Sequence, residues 1–482
     1  MDRRGFLGAG CAAGLVAACT TTPLLPAHSF AEDLAIIREA IAIHPGALRY
    51  LDDASLEAAL QRLETAYTAA PDLAGRYLAL SAFLAKLKCG HTHCNFYNQS
   101  DEVRAELFDR PTRLPFLFRW IDSAMVVTRD LTGTRRLQPG TVIETIDGRS
   151  VQRILAALLA YARADGGNTG KRVAQLEVTG GERYPAFDIF QGLVFPPKGG
   201  SFALDFTAPD GSAGTMRAPA LTAAERISAA PPPAYDGSPL WTFDLRSDGI
   251  ALLTMPTWVV YRGGWDWAGW LAERAPAMYG ARGLVVDVRG NEGGLSCGDA
   301  ILARLTARDI VLDEYVKRIR YRRFGPLLSA HADTYDPAFP TLGEALVEAG
   351  GGFYVQPPGT PPEVISAESP RLTTPTAILT DAHNSSATFL FARNAKRHGL
   401  ATLVGAPTGG NLRGINAGAV AFVRLPQSGI EFDLPLIGYF EREERPDRGV
   451  LPDLAVDETV DDIAAARDRV LEAAVARLGA TA

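Results

Sequence analysis

The sequence predicts a multi-domain α/β chain with a helical N-terminal region, a β-rich module and an α/β core. Three observations carry this. Apolar residues recur at helical spacing from Phe30 to about Ser100, short alternating strands take over from about Val103 to Ala220, and from Leu240 to Leu478 apolar runs alternate with helical segments. At 482 residues, 47% hydrophobic and 21% charged, the chain has material for two or three cores, and its composition is not that of a disordered protein. The formal charge of -7 gives no basic footprint for nucleic acid.

The first element, residues 1–29, reads as an export signal. Arg3-Arg4-Gly5-Phe6-Leu7 is a twin-arginine pattern, and the small apolar stretch Gly8 to Ala18 is too short to span a bilayer. Val16-Ala17-Ala18-Cys19 resembles a bacterial lipoprotein cleavage box, with Cys19 as the lipid attachment point; cleavage after Ala27 or Ala31 would instead leave a soluble exported protein. The expected location is the bacterial cell envelope, periplasmic or lipid-anchored, with the N-terminal lipid as the sole contact with a membrane.

Residues 30–100 form the helical region, with Leu34, Ile37, Ala40 and Ile41 on one face and Leu56, Ala59, Leu60 and Leu63 on another. It ends in Cys89-Gly90-His91-Thr92-His93-Cys94. Residues 101–225 form the β-rich module, in which Leu137 to Val151 resembles the strand and turn of a PDZ domain and Gln152 to Arg163 its helix. A PDZ domain binds an extended peptide by strand addition. Pro231-Pro232-Pro233 marks a linker over 226–239. The core, 240–478, has strand-like runs at Ile250 to Met255, Gly283 to Val288, Pro375 to Thr380 and Thr402 to Val404. Trp258 and Trp265 stand either in a substrate groove or in the hydrophobic interior.

Two segments of the core point to chemistry. Pro375 to Thr380 runs as a strand into the turn Asp381-Ala382-His383-Asn384-Ser385, and Ala387 to His398 then has helical character. Ser386 would stand at a helix N-terminus, where unpaired N–H groups and the helix dipole favour negative charge. Serine also caps helices in that place. The second segment, Leu284 to Gly294, is a buried-type strand breaking into Arg289-Gly290-Asn291-Glu292-Gly293-Gly294. Sites in open α/β sheets form beyond the carboxyl ends of strands, so both segments can face one crevice. Gly293 or Gly294 and Ala387 could then present N–H groups to an oxyanion. No Gly-Lys-Ser or Gly-Lys-Thr follows, which argues against a phosphate loop.

Four pieces together resemble the tail-specific, or C-terminal-processing, serine peptidases, with their tricorn-like and retinoid-binding relatives. They are Val286 to Gly294, Asn384-Ser385-Ser386-Ala387-Thr388, Ala401 to Gly410 and Gly449-Val450-Leu451-Pro452-Asp453, in the family's order across roughly 240–475. The resemblance implies a ClpP/crotonase-like core with Ser386 as nucleophile.

The chain also departs from that family. Asn411 stands where the better-known branch has its lysine base, and asparagine cannot accept a proton at neutral pH. Phe389 replaces the acidic residue of that branch, and Lys396 reads as a solvated charge. The tricorn-like branch takes its base from an upstream histidine, which makes His91 the implied general base. Gly90 replaces the serine that precedes that histidine, and the supporting acid is expected before Gly449, with Glu444 first and Asp447 second. Cys89, His91, His93 and Cys94 are four possible zinc ligands, but spacings this short would make one turn supply them all. No metal or organic cofactor is expected, and a Cys89–Cys94 disulfide is the better reading in an oxidising compartment. The implied activity is serine endopeptidase hydrolysis of peptides or protein C-terminal regions. The alternatives are a catalytically silent peptide- or lipid/retinoid-binding protein on the same fold, and envelope scaffolding through the PDZ-like module.

Overall fold

A computed structural model describes residues 30–479. The export signal and the lipid attachment at Cys19 lie outside the described residues. Among those described, no helix is long and apolar enough to cross a membrane.

The chain begins with helices Ala31–Ile43, Asp53–Ala69, Leu73–Lys86 and Asp101–Leu107. Their starts follow from local chemistry: Asp52 accepts from the Ser55 N–H at 2.7 Å, Asp72 from Gly75 at 2.8 Å and Ser100 from Val103 at 3.3 Å. Both expected apolar faces are buried at their centres, through Ile37, Ala40 and Ile41 on one helix and Ala59, Leu60 and Leu63 on the next.

The β-rich region is an antiparallel sheet in the order Phe116–Ile121, Ala124–Asp130, Val142–Ile146, Ser201–Thr207, Ala213–Pro219, with the short strand Arg149–Ser150 paired to Val142–Ile146. The helix after that turn is shorter than its sequence pattern, Val151–Leu158. Helix Ala223–Ala229 runs into the proline-rich stretch, and its Arg226 is buried beside Asp188 at 3.3 Å.

The core is a six-stranded sheet in the order Leu454–Ala455, Thr402–Gly405, Thr376–Thr380, Gly283–Asp287, Ile250–Thr254, Thr242–Leu245. All pairs are parallel except the last. Alternation along each strand divides its side chains between two layers. Leu284, Val286 and Ile378 pack with helices Trp267–Gly280, Asp299–Leu305 and Ser386–Arg397, while Val285, Ala377 and Leu379 pack with helix Arg469–Gly479. Trp258 belongs to the first layer. It is fully buried against Phe391 with ring centroids 5.6 Å apart, so it is interior and not groove.

A second core sheet, of antiparallel strands Tyr315–Arg318, Glu431–Glu441, Asn416–Arg424 and Ala332–Thr334, was not foreseen. Strand Glu431–Glu441 is buried along its first six residues and Asn416–Arg424 buries alternate residues, because one apolar cluster joins their side chains to the N-terminal helices and the β-rich sheet. This shared cluster brings residues near 90 against the rear half of the chain.

Candidate active site

The serine turn is built from the end of strand Thr376–Thr380. Asn384 is fully buried and ties three segments together: its amide donates to the Val288 and Asn291 carbonyls, its side-chain oxygen accepts from the Asp381 N–H at 2.8 Å, and its carbonyl accepts from Gly409 and Gly410 at 2.7 and 3.1 Å. Ser385 precedes the helix but does not cap it; its hydroxyl donates to the Glu292 carbonyl at 3.2 Å. Ser386 is held at φ 52°. For a residue with a Cβ that left-handed conformation costs about 1–3 kcal/mol and persists where the surroundings over-determine it.

The glycine loop abuts this turn. A Cβ on Gly293 would lie 2.9 Å from Ser386 Cβ and 3.1 Å from the Ala387 nitrogen, and one on Gly294 would collide with the Trp258 carbonyl. Both glycines also have positive φ, 105° and 134°, so two independent constraints exclude side chains. Asn291 shapes the loop by donating to Met255 O at 2.7 Å and accepting from Thr388 at 2.9 Å. It also accepts the Gly293 N–H at 2.8 Å, so that donor is already engaged. The Gly294 and Ala387 N–H groups have no hydrogen-bond partner among the described residues.

The histidine turn follows helix Leu73–Lys86. Asp433 of the second core sheet donates its N–H to His93 O at 2.9 Å, Tyr77 donates to Cys94 O at 2.9 Å, and Thr92 hydrogen-bonds His44 at 2.8 Å. Cys89 and Cys94 do not form the expected disulfide. Both are free and buried, and they face different partners, Thr92 and Asn416 for Cys89 and Ser81 for Cys94. Burial pushes the Cys94 thiol up to about 12.

The two turns converge on Glu292. Arg163 donates to the Gly90 carbonyl and lies 3.6 Å from the Glu292 carboxylate, while Lys171, itself buried, pairs with Glu292 and donates to His383 O at 2.9 Å. Burial alone would raise the Glu292 pKa, but Lys171 and Arg163 overwhelm that effect and hold it well below the usual carboxylate range. His91 is lowered from its ordinary value, chiefly by burial, so it is neutral at pH 7. Its Nδ1 is buried without a partner, and no hydrogen bond joins it to Ser386 among the described residues.

Asn411 is fully buried and donates to the Asp165 carbonyl at 3.1 Å and to Asp447 at 2.7 Å. Asp447 also accepts from Tyr50 at 2.9 Å and from the Gly167 N–H at 3.0 Å. Glu444 is exposed, with no described hydrogen bond. Lys396 pairs with Asp453 at 2.8 Å.

His383 was passed over in the sequence although it lies three residues before Ser386. Its ring nitrogens contact Asp381 at 3.2 Å and Ala174 O at 3.1 Å. Burial opposes its charge, yet the Asp381 carboxylate outweighs burial and lifts its pKa to about 9. A charged ring with both N–H groups engaged cannot serve as a base.

A cleft of about 1070 Å³ runs past both turns, walled by Phe96, Tyr97 and Tyr184 from the front half and by Thr257, Gly290 and Gly293 from the core. Ser386 and His91 are set back from its lining; their neighbours Gly293 and Thr92 form it.

Residues 249–456 match the family model of Peptidase family S41. Over these residues, somewhat less than half of the chain, the sequence is similar to the serine peptidases of that family. The S41 match begins at strand Ile250–Thr254 and closes at Leu454–Ala455, so it spans five of the six core strands, and peptides or proteins are the substrate class it implies. No curated protein matches the chain. Among solved structures, mature CPAF complexed with lactacystin shares 16% identity over 94% of this chain and 97% of its own, with a TM-score of 0.61. Mature CPAF shares 17% over 91% and 94%, with a TM-score of 0.59. The photosystem II D1 C-terminal processing protease shares 16% over 93% and 97%, with a TM-score of 0.40. The two CPAF structures show that the fold extends beyond the S41 core to the front half of the chain.

Proposed function

We propose that this peptidase is exported and hydrolyses peptide bonds of extended peptides or protein C-terminal regions through an acyl-enzyme, with Ser386 as nucleophile and His91 as general base. The observation that carries the reading is the convergence of the serine and histidine turns on Glu292 beside one long cleft. Neutral His91 takes the Ser386 proton as the hydroxyl attacks the carbonyl, then returns it to the leaving amine. The Ala387 and Gly294 N–H groups supply the oxyanion donors, since that of Gly293 is engaged. Water hydrolyses the acyl-serine by the same route in reverse.

The test is incubation with a denatured protein, with fragments followed by mass spectrometry and an acid quench to trap the acyl-enzyme. Cleavage with a transient adduct on Ser386, both lost in Ser386→Ala, is the expected outcome. A wild-type protein that binds the denatured chain and never cuts it would replace this reading with the silent-binder alternative.

A further inference from the structure

We infer that Asp165 is the carboxylate that positions the His91 ring, replacing the serine link that Gly90 lacks. The inference rests on His91 being the base. Asp165 lies in Ala164-Asp165-Gly166-Gly167, downstream of helix Val151–Leu158, and none of the sequence patterns above includes it.

Four observations bear on it. Asp165 is 2% exposed, and its Oδ1 accepts the Gly90 N–H at 2.8 Å, which places the carboxylate against the peptide next to His91. Its Oδ2 is buried with no partner, and the buried Nδ1 of His91 has none either. No described cation forms an ion pair with Asp165. A buried carboxylate with one neutral donor is costly, so such a group usually has a charge or donor to meet during function. Finally, a Cβ on Gly90 would lie 2.7 Å from Asp165 Oδ2, so a serine at position 90 and this carboxylate compete for one space.

The support behind Asp165 is also built. Asn411 donates to the Asp165 carbonyl and to Asp447, and Asp447 holds the Gly167 N–H. Any Cβ on Gly166 would strike Asn411, Asp447 and Tyr50. Asn411 therefore does work at the histidine side of the site in the place where a lysine would have been a base. Asp447, weighed from the sequence as the acid itself, acts one layer further out.

The two atoms share no direct hydrogen bond, and one water bridging Nδ1–H of His91 to Oδ2 fixes the tautomer with Nε2 free for Ser386 and steadies the imidazolium that forms. The charges facing His91 are Asp165 and Glu292, which favour its protonation, and Arg163 and Lys171, which oppose it; His93 lies on the same turn. Glu292 is paired with both cations, whereas Asp165, the larger of the two influences on the ring, has no described ion pair.

The experiment compares wild type with Asp165→Asn, which keeps an acceptor for Gly90. Two readouts are taken: ring-nitrogen NMR of His91, and the acid limb of kcat/KM on a peptide substrate. The expected result is loss of the Nδ1–H signal, a downward shift of His91 titration and of the acid limb by about one pH unit, and a fall in kcat of at least about tenfold with KM held. Gly90→Ser is a second variant that displaces the carboxylate and is expected to shift His91 the same way. Restored activity of Gly90→Ser in an Asp165→Ala background would confirm that one space is shared. An unchanged ring signal and acid limb in both single variants overturns the assignment. If wild type has no turnover, the hydrolytic reading falls separately, and the NMR readout still decides Asp165.

Discussion

The serine side and the histidine side of this site are constructed in opposite ways. At the serine turn nearly every bond comes from residues close in sequence to one of three short motifs: Asn384 alone joins Val288, Asn291, Asp381, Gly409 and Gly410. At the histidine turn the partners are scattered: His44, Tyr77, the loop that carries Arg163 and Asp165, and Asp433 arrive from four separate segments. In the proposed mechanism the nucleophile, held in a strained backbone, needs a rigid local frame, whereas the base needs only a placed ring, which many scaffolds can supply. Local frames leave motifs in sequence; assembled ones do not.

The largest expected effects break the site itself. Ser386→Ala and His91→Ala should each lower kcat by about 10⁴-fold or more with little change in unfolding free energy. A His91→Ala variant that keeps activity would remove the histidine side from the comparison. Next comes the frame. Asn384→Ala leaves buried groups on three segments without partners and should cost about 3–5 kcal/mol in denaturant unfolding. A smaller loss would mean that the serine turn is less over-determined than its bonding indicates.

His383 sharpens the same comparison through pH. Its folded pKa, about 9, is raised above an unfolded value near 6.5, so its contribution is fully present below pH 6.5 and is lost as pH rises through 9. The two values bound that contribution at about 3 kcal/mol. Wild-type stability should fall across that window, and His383→Gln should flatten the dependence. A smaller effect comes from backbone strain. Ser386→Gly should raise stability by about 1 kcal/mol while abolishing turnover. Lys396→Met, which breaks a half-exposed pair with Asp453, should change stability by less than about 1 kcal/mol.

The parallel core was legible because its strands are buried on both faces and announce themselves as continuous apolar runs, Leu284 to Asp287 and Thr376 to Thr380 among them. The antiparallel sheet built on Asn416–Arg424 and Glu431–Glu441 was not, since its burial depends on helices more than 300 residues earlier that no local pattern reveals. Ser386 and the two glycines were visible as motifs. Asp165 was not, because its meaning depends on the space that Gly90 leaves open, and that is a relation between positions 75 residues apart. The Cys89–Cys94 disulfide was expected from an oxidising compartment, but compartment says nothing of geometry, and the thiols face different neighbours.

The most direct test is the rate at which a fluorophosphonate labels the intact protein as a function of pH. The account predicts one adduct, on Ser386, with a rate that follows deprotonation of a group titrating below pH 6.5 and that collapses in His91→Ala. Labelling that maps to another residue, or a Ser386 rate indifferent to the loss of His91, would contradict it.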